Sequence, residues 1–228
     1  MSKCEQCIVR QFNSLKELSR EELLRVSACK TSRFIKKGET IFEENEHLDG
    51  VFCIKDGICK VSKMSANGRN QILNLVTKGS LLGERSLISN EVSNLKAVAL
   101  EDMEVCFVPK SEIMLDLQKN SNFSMSILKG MAGNLKQADN LIVDMAQKTV
   151  KQRLAEALLY LHRNFNFTDD EFIDVNLSRE DFADIIGAAT ESTIRLLSDF
   201  KKKGLILIKS KRIGILNELE LEKVAKDF

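Results

Sequence analysis

The apolar positions of this chain change period twice. Across residues 34–109, short apolar segments (51–54, 58–61 and 71–75) are broken by glycines at Gly38, Gly50, Gly57, Gly68, Gly79 and Gly83. Frequent short strands between glycine turns predict a β-sandwich or jelly roll. Ahead of it, residues 1 to about 18 read as a polar arm. Ser19 and Glu22 then form a capping box for a short helix over residues 20 to about 26. From about Asn122 the period lengthens. Leu128, Met131, Leu135, Ala138, Ile142, Met145 and Thr149 recur at alternating intervals of three and four, the repeat of a coiled-coil seam. An amphipathic helix lying on its own domain has a similar pattern. Gly130 and Gly133 loosen the start of this helix. Thr149 is placed to cap a further helix over 150 to about 162, so a hinge is expected near Met145 to Thr149.

The third texture is LSREDFADIIGAATESTIRLLSDF, Leu177 to Phe200. Ser178 and Asp181 approximate a capping box, and Phe182, Ile185 and Ile186 form one apolar face. Gly187 ends that helix, as glycine commonly does. Thr190 is expected to cap the next, whose buried side is Leu196, Leu197 and Phe200. Glu191 and Arg195 then lie one turn apart on its exposed face. The spacing suits a helix-turn-helix entering the major groove, where glutamate accepts from cytosine N4 and arginine grips guanine O6 and N7. It suits a surface i,i+4 salt bridge equally well. Beyond it, residues 205–208 and 212–216 read as two strands around Lys209-Ser210-Lys211, the wing of a winged helix. From Arg195 to Arg212 there are seven basic residues and one acid, Asp199, a local positive surface for phosphates.

Composition changes the picture little. The chain has 228 residues, 43% hydrophobic and 29% charged, with a formal net charge of +1. That describes a globular protein with room for two cores and no global attraction to nucleic acid. No apolar run is long enough for a membrane span and no leader pattern opens the chain, so a cytoplasmic protein is expected. Its six cysteines (Cys4, Cys7, Cys29, Cys53, Cys59, Cys106) are then thiols or ligands rather than disulfides. No phosphate-binding glycine loop, nucleophile elbow or paired-histidine motif points to an enzyme.

SREDFADIIGAATESTIRLLSDFKKKGLI resembles the DNA-binding motif of the cyclic-AMP receptor protein and fumarate-nitrate reduction regulator family, with Ser178, Arg179, Phe182, Gly187, Glu191, Ser192, Arg195 and Leu197 in register. KKGETIFEENEHLDGVFCIKDGICKVSK resembles the opening of that family's β-roll. The resemblance implies an α+β protein: an arm and cyclic-nucleotide-binding-like jelly roll (1–120), a dimerisation helix (121–148) and a winged helix-turn-helix (149–228). It implies that Glu191 and Arg195 read a G·C pair in each half-site, with Thr190 alongside. It implies that Ser178, Arg179, Ser192, Lys209 and Lys211 meet phosphates. Ile194 stands where one branch of the family has serine, and an apolar side chain there suits a thymine methyl.

The sensor is less defined. The resemblance implies an effector pocket at Gly83 and Glu84, but the arginine-serine pair that grips a cyclic phosphate is missing from EVSNLKAV, residues 91–98. Lys96 is the sole cation in that window, and lysine does not reproduce arginine's bidentate grip, so cyclic AMP is not expected. Iron-sulfur members of the family carry C-x2-C-x5-C in the arm and a late β-roll cysteine. Cys4, Cys7 and Cys106 match three of these positions and Asn13 occupies the fourth. Both readings stay open, a cluster site or buried structural thiols. Zinc lacks a second ligand pair. Haem has only His47 and His162 to draw on and is not expected.

The expected protein is a homodimeric transcription regulator. It would bind a near-palindromic operator on double-stranded DNA, meet RNA polymerase if an activator, and take a signal, small molecule or otherwise, in its β-roll. The alternative is an effector-sensing module that regulates a protein partner without binding DNA.

Overall fold

The computed structural model describes residues 4–226; residues 1–3, the outer end of the arm, lie outside the described residues. Two compact units form: the first runs to Gln137 without 65–72, and the second comprises Ser65–Ile72 and everything from Ala138 onward.

In the first unit the arm is three short 3-10 turns, Cys4–Gln6, Ile8–Phe12 and Ser14–Glu17. It is not the polar arm expected. Cys4, Val9, Leu15 and Leu18 are buried in the core of this unit. Their irregular spacing matches neither the helix nor the strand period, so polar neighbours mask them in the sequence. Helix α1, Arg20–Cys29, starts on the expected capping box: the Glu22 amide donates to Ser19 Oγ at 3.3 Å and the Ser19 amide donates to Glu22 Oε2 at 2.7 Å. It runs a turn longer than expected. Its Arg25 guanidinium forks onto Glu112 (2.5 Å) and the buried Asp116 of helix α3, Lys110–Lys119. Leaving a buried partner uncompensated costs about 3–5 kcal/mol, so this fork fixes α1 to α3.

Eight strands follow: β1 Thr31–Ile35, β2 Thr40–Phe42, β3 Gly50–Asp56, β4 Cys59–Met64, β5 Asn70–Val76, β6 Leu81–Leu82, β7 Lys96–Ala99 and β8 Met103–Pro109, with α2 (Glu84–Ser89) between β6 and β7. They make two four-stranded sheets, ordered β1-β8-β3-β6 and β2-β7-β4-β5, the expected jelly-roll texture. Strand β3 is buried on both faces. Successive side chains point to opposite sides of a sheet, so Phe52 and Ile54 enter one core with Val61, Ala97 and Val105. Val51 and Cys53 enter the other with Cys4, Cys106, Ile113 and Phe123. Strand β8 alternates the same way. Because Cys53 pairs in register with Cys106, both thiols face the arm.

Helix α4, Ser121–Gln147, passes through both units. Phe123 and Ile127 are buried in the first core and Met131 packs against it. Leu128, Leu135, Ala138 and Ile142 are exposed, and Met145 is half-buried. The second unit continues with α5 Val150–Asn164, α6 Arg179–Ile186, α7 Thr190–Lys202, β9 Ile206–Lys209, β10 Arg212–Ile215 and α8 Glu218–Lys226. Leu154, Leu158, Phe182, Ile186, Leu197, Phe200, Ile206, Ile213 and Leu221 are its buried residues of largest consequence.

Candidate nucleic-acid interface

Helix α6 begins on a closed capping box. The Asp181 amide donates to Ser178 Oγ at 3.0 Å, while the Ser178 amide (2.8 Å) and hydroxyl (2.7 Å) donate to Asp181 Oδ2. The Ser178 hydroxyl is thereby committed to the helix start. Gly187 ends α6 at φ 60°, and the Ala188 amide returns to Ala183 O at 3.0 Å. A Cβ on Gly187 would meet Met145 Sδ at 3.1 Å and the conformation is left-handed, which only glycine adopts cheaply.

Helix α7 starts one residue earlier than expected. Thr190 is its first helical residue, and Ala189 precedes it without a side-chain cap. The two alanines after Gly187 complete the turn, so Thr190 has helical backbone and its hydroxyl is not at the capping position. The N-terminal amides of α7 have no side-chain cap, the end of a helix that favours negative charge. Thr193, Leu197 and Phe200 are buried. Glu191, Ile194 and Arg195 occupy the opposite, exposed face, with Ile194 44% exposed. Glu191 and Arg195 form no ion pair: Arg195 Nε donates to the backbone carbonyl of Glu191, at 3.4 Å. Both charged ends point to solvent.

The wing is a tight hairpin in which Lys209 pairs with Arg212 and Ser210 takes φ 58°. Arg179 binds it to α6, donating Nη2 to Ser210 O at 3.0 Å. Arg179 Nη1 is buried without a partner and desolvation lowers the guanidinium pKa. Asp170, which the sequence did not single out, holds Arg212 at 2.9 Å and Lys209 at 3.5 Å. Lys211 is exposed and Ser192 half-buried. The carbonyl clasp of Arg153 was also not anticipated. Its Nε reaches Ile186 O at 2.8 Å and its Nη1 reaches Met145 O at 3.1 Å and Lys148 O at 2.9 Å.

Comparison with known proteins agrees with this architecture. Residues 32–120 match the family model of the cyclic nucleotide-binding domain, and residues 152–224 that of the Crp-like helix-turn-helix domain. The fumarate and nitrate reduction regulatory protein of Escherichia coli (strain K12) is 29% identical over 227 residues, covering 97% of this chain and 90% of that protein. The anaerobic regulatory protein of Bacillus subtilis (strain 168) is 27% identical over 186 residues, covering 80% of this chain and 78% of the relative. In fold, FixK2 from Bradyrhizobium japonicum superposes with a TM-score of 0.77 at 24% identity, over 86% of this chain and 96% of that one.

The chain belongs to the Crp/Fnr family of transcription regulators.

It is therefore a DNA-binding regulator and not an enzyme. In its β-roll, Gly83 takes φ 91°, where an added Cβ would lie 2.9 Å from Leu48 Cδ1. Burial pushes the adjacent Glu84 carboxyl up, and a hydrogen bond from its own backbone amide opposes the shift. Lys96 does not join them. Ala97 and Ala99 of β7 point into the core, so Lys96 points outward and pairs with Glu43 at 2.9 Å. His47 is exposed. His162 lies 3.7 Å from Glu218 and packs edge-on to Phe167.

The thiols of this Crp/Fnr regulator separate into groups. Cys29 is exposed and Cys59 belongs to the core between the sheets. Cys4, Cys53 and Cys106 are buried in the arm-side core, with Cys7 packed against it. Burial pushes the Cys53 thiol up to about 12; charge on Cys106, and to a lesser degree on Cys7 and Cys4, pushes the same way, and the hydrogen bond from Asn13 opposes it. Burial also pushes the Cys4 thiol up. The set implied by the family resemblance does not fit a four-thiolate centre. Its third arm position is Asn13, an amide, and Asn13 Nδ2 donates to Cys53 Sγ at 3.3 Å. Among the described residues, no three histidine, cysteine or acidic side chains already stand in a metal-holding arrangement.

Proposed function

We propose that this regulator acts as a cytoplasmic homodimer that reads a near-palindromic operator through α7. Glu191 and Arg195 read a G·C pair in each half-site, Thr190 stands beside them, and Ile194 packs on a thymine methyl. Arg179, Ser192, Lys209 and Lys211 meet flanking phosphates, with Ser178 contributing through the capped start of α6. The observation that carries this reading is the exposed face of α7: a glutamate and an arginine one turn apart, not paired with each other, around an exposed isoleucine. Charged groups held in water on a groove-sized helix are free to exchange hydration for base edges.

A dimer places two recognition helices about one helical turn of DNA apart. The exposed apolar row on α4 supports pairing with a second copy. A signal in the β-roll would act by favouring one arrangement of the α4–α5 junction, where Thr149 caps α5 and Arg153 grips the end of α4. RNA polymerase is the further partner if the operator lies where activation requires it. Footprinting the dimer on genomic fragments tests the reading. A protected, salt-sensitive pseudo-palindrome is expected; protection without sequence preference would overturn it.

A further inference from the structure

The basic stretch around the wing is answered in the fold by an acid from outside it. We infer that Asp170, in the loop between α5 and α6, is a built-in stand-in for a DNA phosphate. It holds Lys209 and Arg212 of the wing until the DNA backbone displaces it. It thereby sets the strength and salt dependence of DNA binding without reading sequence. Only one point is taken from the reading above, that the wing faces phosphates; Arg212 joins that surface, and the surface gains a competitor.

Three sets of contacts build the arrangement. First, Lys209 and Arg212 are register partners in the hairpin, so their side chains leave the same face. Asp170 meets both: Oδ1 accepts from Arg212 Nη1 at 2.9 Å, and Oδ2 faces Lys209 Nζ at 3.5 Å. A carboxylate with one oxygen on each of two cations offers what a backbone phosphate offers, paired acceptors and a negative charge. Second, the carboxylate is held in place. Thr168 Oγ1 donates to Asp170 Oδ1 at 2.7 Å. The Thr168 amide donates to Phe172 O at 2.8 Å and the Glu171 amide to Thr168 O at 2.9 Å, which closes the turn. The turn lies on the second strand of the wing: the Ile173 amide donates to Ile213 O at 2.9 Å, and a Cβ on Gly214 would meet Glu171 O at 3.2 Å. Third, the Arg212 guanidinium lies over the Phe172 ring, 5.0 Å from its centroid, which keeps the fork beside the carboxylate.

Exposure decides what such pairs do. The side chains of Lys209 and Asp170 are 67% and 42% exposed, and ion pairs in water contribute little to stability. They brace the wing weakly and exchange readily, so both cations pass to phosphate when DNA arrives. The carboxylate left behind still subtracts one charge from the wing. Each phosphate neutralised contributes about −0.9 to the slope of log affinity against log salt, and Asp170 takes back a share of that. Its neighbour Asp169 is exposed and forms no ion pair among the described residues, which makes it a control of equal charge.

The test titrates the full-length protein onto two duplexes, one of random sequence and one carrying the footprinted operator, from about 50 to about 200 mM salt. Asp170→Asn keeps the size of the side chain and removes its charge. It should bind both duplexes about two- to fivefold more tightly at the low end, the scale of exposed ion pairs. Its salt slope should steepen by up to about one ion. Asp169→Asn makes the same change in net charge and should stay near the wild type. Adding Arg212→Gln to Asp170→Asn should remove most of the gain. Wild-type or weaker binding by Asp170→Asn, or an equal gain from Asp169→Asn, overturns the assignment. A weaker complex together with a lower melting temperature would make Asp170 a brace for the wing instead. Lys211→Ala reports on the wing itself and should weaken binding to both duplexes. If it does so while Asp170→Asn changes nothing, Asp170 alone loses its role. If neither variant changes binding, the wing does not meet phosphates and both readings fall.

Discussion

Arg153 Nε donates to the carbonyl of Ile186 at 2.8 Å, so a side chain on α5 caps the C-terminal end of α6. The same guanidinium holds the carbonyls of Met145 and Lys148 at the end of α4. One fixed cation thus satisfies backbone acceptors at two helix ends, where positive charge is favoured. Arg153→Ala should destabilise the second unit by about 2–3 kcal/mol, since hydrogen bonds from charged groups contribute about 1.5–3 kcal/mol each and the freed carbonyls partly rehydrate. Arg153→Lys should recover little, because one ammonium cannot reproduce the fork. Urea denaturation of both variants measures this; a wild-type midpoint for Arg153→Ala would refute the clasp.

Replacing Arg195 by alanine should cost about 1–3 kcal/mol of operator affinity and relax one base position. Glu191→Ala should relax the paired position on the other strand. Selection from randomised half-sites reads both effects. An equal loss on every sequence would reassign Arg195 to phosphate.

Ile194 carries no charge and no hydrogen-bonding group, yet it is 44% exposed beside Arg195. Exchanging it for serine removes the apolar surface available to a thymine methyl. Ile194→Ser should lower the preference for thymine at one position by about 1 kcal/mol, the scale of a methyl group's burial. Competition between operators differing only in thymine and uracil measures it, since uracil lacks that methyl.

What was legible beforehand follows the range of the forces involved. The helix-turn-helix announces itself through local signals: Ser178 with Asp181, then Gly187, and the apolar face of Phe182 and Ile186. Thr190 was expected one position out because Ala189, which has no capping group, occupies the place before the helix. The direction of Lys96 is set by the phase of β7 against its core, and a four-residue strand leaves that phase open in the sequence. The meeting of Asn13 with Cys53, 40 residues away, is a tertiary fact with no local signature. The buried arm residues failed for a related reason: 3-10 turns leave no long period to read.

Cys59 is buried between the two sheets, and burial pushes its thiol from 9.0 up to about 12. Above pH 9 the unfolded chain loses this proton while the folded chain keeps it. The contribution of Cys59 to stability is thus fully present below pH 9 and falls as pH rises, by about 1.4 kcal/mol per pH unit until the folded thiol ionises. The stability gap between wild type and Cys59→Ala should shrink at that slope in urea titrations from pH 8 to pH 11. A gap independent of pH would mean that the thiol ionises equally in both states.

Leu135 and Ile142, seven residues apart on α4, are 64% and 67% exposed. The chain as one copy leaves them in water, and a helix row of this spacing is covered by a like row on a second copy. Burying a leucine or isoleucine contributes about 1.5–3 kcal/mol, and twofold symmetry counts each substitution twice. Leu135→Glu or Ile142→Glu should therefore weaken the dimer by at least about 3 kcal/mol, roughly a hundredfold or more in Kd, before the repulsion between facing carboxylates is added. Sedimentation should show monomers at concentrations where the wild type is paired. Operator binding should fall with it, because one recognition helix reaches only one half-site, while the melt of the isolated chain stays near that of the wild-type monomer. A variant that remains a dimer would move the pairing surface off this row.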